Sequence, residues 1–204
     1  MPKITKKSPG GSLIELVLIV AVALGLALAI QALLVKPFRI PSESMVPTLN
    51  INQRVLVDRV SFRFSDPDKG DIVVFKPPAG ADENRCGIEP VPEGEPCPKP
   101  TKKRSEQNFI KRVVGTPGDR LKVIDNRVYI NGKKQKESFV NKGTPCGEEC
   151  SLPREIKIPA DHYFMMGDNR GESADSREWG PVPKDWIIGN AFFTYWPPKY
   201  IGPL

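Results

Sequence analysis

A chain of 204 residues with a formal net charge of +6 has room for one anchored domain, or for a domain carrying a smaller inserted lobe, and for a substantial core. The positive charge is not gathered into a basic face with interleaved aromatics, since Lys3, Lys6 and Lys7 cluster ahead of an apolar segment and the stretch 76–106 is nearly balanced, which argues against nucleic acid as a partner. The 22 prolines and 17 glycines, spread between short β-branched runs, argue against a helical bundle and for strands and turns.

From Leu16 to Val35 the chain reads LVLIVAVALGLALAIQALLV, without a charge. Roughly 20 apolar residues at ~1.5 Å each match the ~30 Å hydrocarbon layer, so residues 12–36 are expected to form a transmembrane helix after a short tail, 1–11. A cleaved signal peptide is the rival, but its apolar region is typically only ~7 to 15 residues long. Ser12-Leu13-Ile14-Glu15 has the spacing of a capping box, and Lys36-Pro37 is expected to stop the helix. Three lysines before the span, against Lys36 and Arg39 after it, lean toward a cytoplasmic N-terminus.

Residues 37–204 read as the soluble domain. Pro41 and Pro47 bracket Ser42-Glu43-Ser44 and restrict the backbone around it, presenting two hydroxyls in a stiff turn. Strands are expected at Arg54–Val60, Asp71–Phe75, Phe109–Val114, Arg120–Ile124, Arg127–Ile130, Ile156–Ile158, Tyr163–Met166 and Ile188–Trp196. Asp125-Asn126 joins two of them as a tight hairpin. No strand–helix–strand alternation is visible, so the class is mainly antiparallel β. Residues 76–107 read as an insertion, and 132–151 as a second polar excursion. Cys86 and Cys97 lie in the first, Cys146 and Cys150 in the second, an even count with local spacing that suits disulfides in an oxidising compartment. A zinc site is the alternative, though the close CxxC pairs of common zinc ribbons are missing.

A serine nucleophile needs a neighbouring base. The single histidine, His162, opens a strand and reads as an ordinary imidazole. Lys111, in Asn108-Phe109-Ile110-Lys111-Arg112-Val113-Val114, shares a strand face with Phe109 and Val113. An ordinary lysine is only ~0.1% neutral near pH 7.4, so a working base needs its pKa depressed by ~3 units, about 4 kcal/mol of disfavoured charge. Desolvation by an apolar wall supplies that, whereas a lysine that snorkels to the strand edge stays charged, and both readings are open from spacing alone. In the third polar segment, 165–177, Gly167-Asp168-Asn169 calls for a turn. There Asp175 and Arg177 can form a stiffening ion pair, and Ser173 is within reach of a lysine amine.

Ser42-x-Ser44-Met45, then Lys111-Arg112 with Gly115-Thr116-Pro117-Gly118-Asp119, then Gly167-Asp168-Asn169-Arg170 with Ser173, Asp175 and Arg177, follow one another behind an N-terminal apolar span. In that order they closely resemble bacterial type I signal peptidase. Glu43 and Gly171-Glu172 depart from the usual residues at their positions, and the two cysteine-bearing excursions fall outside the resemblance.

The resemblance implies a β core at about 37–119 and 161–204 with a small second lobe at about 120–160. Ser44 is then the nucleophile and Lys111 the general base, with Ser173 positioning the lysine and Asp175 and Arg177 supporting the loop. Ser42 and the Ser44 amide form the oxyanion hole. Ile40, Met45, Phe109 and Ala174 line two small substrate pockets. The implied substrates are secretory preproteins with small residues before the cleavage site, and the setting is a single-pass protein of the bacterial plasma (inner) membrane, in contact with the lipid bilayer, with its catalytic domain on the extracytoplasmic side. No metal or organic cofactor is implied. A LexA-like self-cleaving protein is the nearest alternative, and a thiol enzyme or a non-catalytic envelope adaptor are the readings from other classes.

Overall fold

The computed structural model describes residues 9–81, 96–97, 101–147 and 150–204, with only the backbone path at 9–12 and 31–33. The chain divides into two compact units, one running through Lys36 and the other comprising Pro37–Leu204.

The first unit is helix α1, Pro9–Leu33. Its segment Leu13–Ile30 has a mean hydropathy of 2.9 and is long and apolar enough to cross a membrane. The helix starts at Pro9, three residues before Ser12, so the capping-box reading of Ser12 and Glu15 does not hold. Proline at the first helical position has no amide to leave unpaired and a backbone angle already suited to the helix. The chain leaves the helix before Lys36-Pro37 and enters β1, Val35–Arg39. This is an edge strand, the place in a sheet where proline is tolerated.

The second unit is built on antiparallel sheets. One sheet contains β1, β2 (Arg54–Asp58), β3 (Ile72–Phe75), β4 (Phe109–Gly115), β9 (His162–Met166), β10 (Val182–Pro183), β11 (Ile187–Trp196) and β12 (Gly202–Pro203). Its order is β1-β2-β11-β3-β4-β9-β10, with β12 pairing on β11. A four-stranded sheet, β7-β6-β5-β8, comes from β5 (Arg120–Ile124), β6 (Arg127–Ile130), β7 (Lys133–Lys134) and β8 (Leu152–Lys157). Asp125 and Asn126 join β5 to β6 with φ of 47° and 60°, the left-handed pair that a two-residue turn between right-twisting strands demands.

The β3 strand, Ile-Val-Val-Phe, is buried along its whole length because apolar clusters cover both of its faces. Ile72 and Val74 pack with Ile40, Met45, Leu49 and Val55. Val73 and Phe75 pack with Val113, Tyr163, Met165 and Trp179. Each fully buried side chain of this size contributes ~1.5 to 3 kcal/mol of burial. The pairing Val73↔Lys111 and Val113↔Met165 therefore plants β4, and Lys111 with it, in the middle of the sheet between two cores.

Where they are described, the two polar excursions are tied to the body. The Pro78–Arg104 bridge and the Ala79 N–H to Lys103 O bond (2.8 Å) close the base of the first. Cys97 is disulfide-bonded, and its amide donates to Glu178 O at 2.6 Å; Cys86 lies outside the described residues. In the second, Cys146 and Cys150 form a disulfide. This excursion is less solvated than its composition suggests. Asn141 N–H donates to Asp168 O at 2.8 Å, Phe139 lies under the Arg112 guanidinium at 4.1 Å, and Glu137 pairs with the buried Arg170.

Candidate active site

The Ser44 turn is held by what flanks it. Ile40, Met45 and Leu49 sink into the cluster shared with β2 and β3, so the backbone between them has little freedom. Ser44 itself is 5% exposed and Ser42 is exposed, with their hydroxyl oxygens 3.3 Å apart. The turn is also clamped from the 167–170 segment: Asn169 N–H donates to Ser44 O at 3.0 Å, and the Asn169 side-chain amide donates to Glu43 O at 3.1 Å.

Lys111 enters from β4. Strand alternation sends it to the face of Phe109 and Val113, where its amine lies 5.7 Å from the Phe109 ring centre. It does not snorkel. The residue is 4% exposed, and Nζ meets Ser44 Oγ at 2.6 Å, across 67 positions of sequence. Burial pulls the amine down from the ordinary lysine value to about 8, against the opposing pull of the Asp175 carboxylate. A side chain that is protonated elsewhere is here close to losing its proton near neutral pH.

A buried ion pair stands beside it. Asp175 is fully buried and caps the short helix α2, Ser176–Trp179, by accepting from the Arg177 amide. Its carboxylate takes Arg177 Nε at 2.8 Å and Nη2 at 2.9 Å, the Gly167 amide at 3.1 Å and the Ser173 hydroxyl at 2.8 Å. Burial pushes the Asp175 carboxyl up, but the Arg177 charge and these donors outweigh it and hold it below the usual range. The guanidinium reaches further, to Arg170 O at 2.7 Å and Ser173 O at 3.0 Å, so it fastens the turn at both ends.

The expectation that Ser173 itself holds the lysine amine is not met. Its hydroxyl donates to Asp175, and the amine of Lys111 is directed at Ser44. Of the expected pocket residues, Phe109 is half-buried and Ala174 exposed. Ile40 and Met45, at 1% and 0% exposure, are core residues that back the turn and present almost no surface of their own. His162 lies away from this contact and bonds through Nδ1–H to Ala160 O at 2.7 Å.

Sequence reasoning gave Arg112, Asp168 and Thr48 no role, yet they join all three segments. Arg112 grips Asp168 through Nε at 2.9 Å and Nη2 at 2.7 Å, a two-pronged ion pair in which both partners are nearly buried. Thr48, from the serine turn, donates to the same carboxylate. The adjacency Lys111-Arg112 is the signal that could have found this pair, since neighbours on a strand point to opposite faces and a second cation there needs its own acid.

Comparison with known proteins gives a family. A family model described as signal peptidase, peptidase S26, matches residues 13–196. A probable signal peptidase I-2 of Synechocystis sp. is 35% identical over 96% of this chain and 79% of its own length. A signal peptidase I of Leptolyngbya laminosa is 33% identical over 100% and 89%. A signal peptidase IB of Staphylococcus aureus is 30% identical over 91% and 90%. Among solved structures, a signal peptidase I of Enterococcus faecalis aligns with a TM-score of 0.38 at 24% identity, covering 62% of this chain and 97% of that one. The match runs from the apolar helix to the end of β11, and the chain belongs to the signal peptidase family, peptidase S26, a family of serine endopeptidases.

Proposed function

We propose that this protein is a membrane-anchored signal peptidase in which Ser44 is the nucleophile and Lys111 the general base. The observation that carries the reading is the 2.6 Å contact between Lys111 Nζ and Ser44 Oγ inside an apolar surround. Once neutral, the amine accepts the serine proton as Oγ attacks the scissile carbonyl. The tetrahedral adduct then collapses, its C–N bond breaks, and the lysine returns the proton to the departing amine. The same lysine deprotonates the water that releases the acyl group from Ser44.

The charge that forms on the carbonyl oxygen needs donors already in place. The Ser44 amide makes no backbone bond among the described residues, and the Ser42 hydroxyl lies beside Ser44 Oγ at 3.3 Å, so both are available for that role. Asp175 and Arg177 hold the turn that carries Ser173. Phe109 and Ala174 offer the substrate-facing walls, with Ile40 and Met45 shaping them from behind, and walls of this kind suit small residues before the cleavage site. The substrates are secretory preproteins.

Helix α1 anchors the chain in the plasma membrane of a bacterium in a single pass, and confinement with an apolar substrate segment in one bilayer raises their effective concentration. The disulfide-bonded Cys97, Cys146 and Cys150 suit a catalytic unit on the oxidising, extracytoplasmic side. Cleavage of a purified preprotein tests the reading: Ser44→Ala and Lys111→Ala are expected to abolish it while near-ultraviolet circular dichroism stays native. Turnover retained in either variant contradicts it.

A further inference from the structure

Four ionisable side chains lie within electrostatic reach of one another in and around the buried turn: Lys111, Asp175, Arg177 and Glu178. Asp175 and Arg177 satisfy one another, and the Arg177 guanidinium is spent on Asp175 and on the carbonyls of Arg170 and Ser173. That leaves Glu178, one residue further along α2. Its main chain is pinned on both sides, by its own amide to Asp175 O at 2.9 Å and by the Cys97 amide to its carbonyl at 2.6 Å. Its side chain is half-buried, and Oε2 is enclosed with no hydrogen-bond partner among the described residues. A buried carboxylate oxygen without a donor is costly unless the group carries a proton or feels a nearby cation. Within its own turn the Glu178 carboxylate feels Asp175 and Arg177, and it feels Lys111 across the packing of α2 on β4, where the Trp179 ring meets Phe109 at 5.6 Å and Lys111 Nζ lies 5.7 Å from that same Phe109 ring. Asp168, the other acid acting on Lys111, is already held by Arg112.

The charges of the four groups balance in two states, one with Lys111 an ammonium and Glu178 a carboxylate and one with both groups neutral. Freeing the amine leaves the cluster one charge negative in a poorly solvated place, unless Glu178 takes up a proton. We propose that Glu178 is a positioning residue for the proton of the Ser44–Lys111 pair: its carboxylate favours the ammonium, and its protonation or removal frees the amine to accept from the serine. This rests on the dyad reading above and adds a second titrating group to it. Burial, and then the Asp175 charge, raise the Glu178 carboxyl to about 7, within reach of the lysine at about 8, so the two titrate over one pH interval.

The test is the pH profile of kcat/KM for preprotein cleavage by the full chain. Glu178→Gln removes the charge while keeping the shape, and its acid limb is expected to move to lower pH by about half a unit or more. Glu178→Asp restores a carboxyl and is expected to return the limb toward the wild-type position. Superimposable limbs in wild type and Glu178→Gln overturn the inference, as does a uniform loss of rate with no change of midpoint, which is what a purely structural role produces. Turnover retained in Lys111→Ala overturns the base assignment itself, an outcome distinct from superimposable limbs. A measurement free of activity comes from the NMR titration of the Glu178 carboxyl in the wild type and in Lys111→Met. Loss of the neighbouring cation raises its midpoint if the two are coupled, and an unchanged midpoint overturns the coupling.

Discussion

Gly167 and Ser44 are matched at the backbone: a methyl group built on the Gly167 α-carbon runs into the Ser44 carbonyl oxygen, and also into the Ser173 hydroxyl. Neither neighbour can move cheaply, since the Ser44 carbonyl accepts from the Asn169 amide and the Ser173 hydroxyl donates to Asp175. Gly167→Ala therefore forces the two turns apart. It is expected to lower cleavage by about 10² through misplacement of Ser44 and to cost ~1 to 3 kcal/mol in urea denaturation. A variant with wild-type kcat/KM would show that the turns are not held in register this way.

Lys111 should tie stability to pH as well as activity. In the unfolded chain it titrates at the ordinary value of 10.5, and in the fold at about 8, so between these pH values the unfolded state binds more protons. Stability due to this group is complete above the unfolded value and is lost as pH falls toward 8. Lys111→Met removes the dependence and is expected to be more stable than the wild type near pH 7, by on the order of 3 kcal/mol. Denaturation of both proteins at pH 7.5 and pH 10 checks this, because the difference between them cancels the other lysines. Parallel behaviour would mean that the amine is not desolvated.

The expected weak point is the Asp175–Arg177 pair. Asp175→Asn leaves a guanidinium that is nearly buried without its counter-charge, and the expected cost is about 3 to 5 kcal/mol with loss of cleavage. Because the Asp175 carboxyl titrates below its ordinary value, its contribution is present above the usual carboxylate range and is lost as pH falls through the folded value. The wild type should thus lose stability in acid more steeply than Asp175→Asn, measured by thermal unfolding between pH 5 and pH 2, a window that reaches below the ordinary carboxylate value of 3.8.

How far this was legible in the sequence depends on where the information lies. The apolar span, the hairpin through Asp125-Asn126 and the strand at Phe109–Gly115 are local signals, set by hydropathy, turn chemistry and alternation; the structure has the hairpin and the strand within a residue, and the helix three residues nearer the N-terminus at both ends, Pro9–Leu33 instead of 12–36. The meeting of Ser44 with Lys111 is not local, and came from the order of three motifs rather than from any one of them. What was missed depends on side-chain direction and distant contact. Thr48 and Arg112 share Asp168 across more than one hundred and across 56 positions respectively. The excursion at 132–151 looks like solvated loop until Phe139, Glu137 and Asn141 find partners elsewhere in the chain. Ile40 and Met45 were apolar in either role, and only burial tells a wall from a core.

The Cys146–Cys150 bond fastens that excursion to the site turn, since Cys150 Sγ lies 3.4 Å from Arg170 O and Cys146 Sγ 3.9 Å from Arg177 Nη1. A bond closing so short a loop constrains the unfolded chain by about 2 kcal/mol. The double variant Cys146→Ser/Cys150→Ser is expected to lose roughly that much in denaturant titrations and to retain cleavage, because the contacts of these two sulfurs are with Arg170 and Arg177 and not with Ser44 or Lys111. Abolished cleavage in a folded double variant would give this bond a larger role.

The most direct measurement is to catch the acyl group on the enzyme. Wild-type protein mixed with a preprotein and quenched within one turnover should carry the substrate acyl chain as an ester on the peptide containing Ser44, as read by mass spectrometry. Lys111→Ala should carry none at any pH up to 10. An adduct on another residue, or one that forms at the wild-type rate without Lys111, would contradict the account.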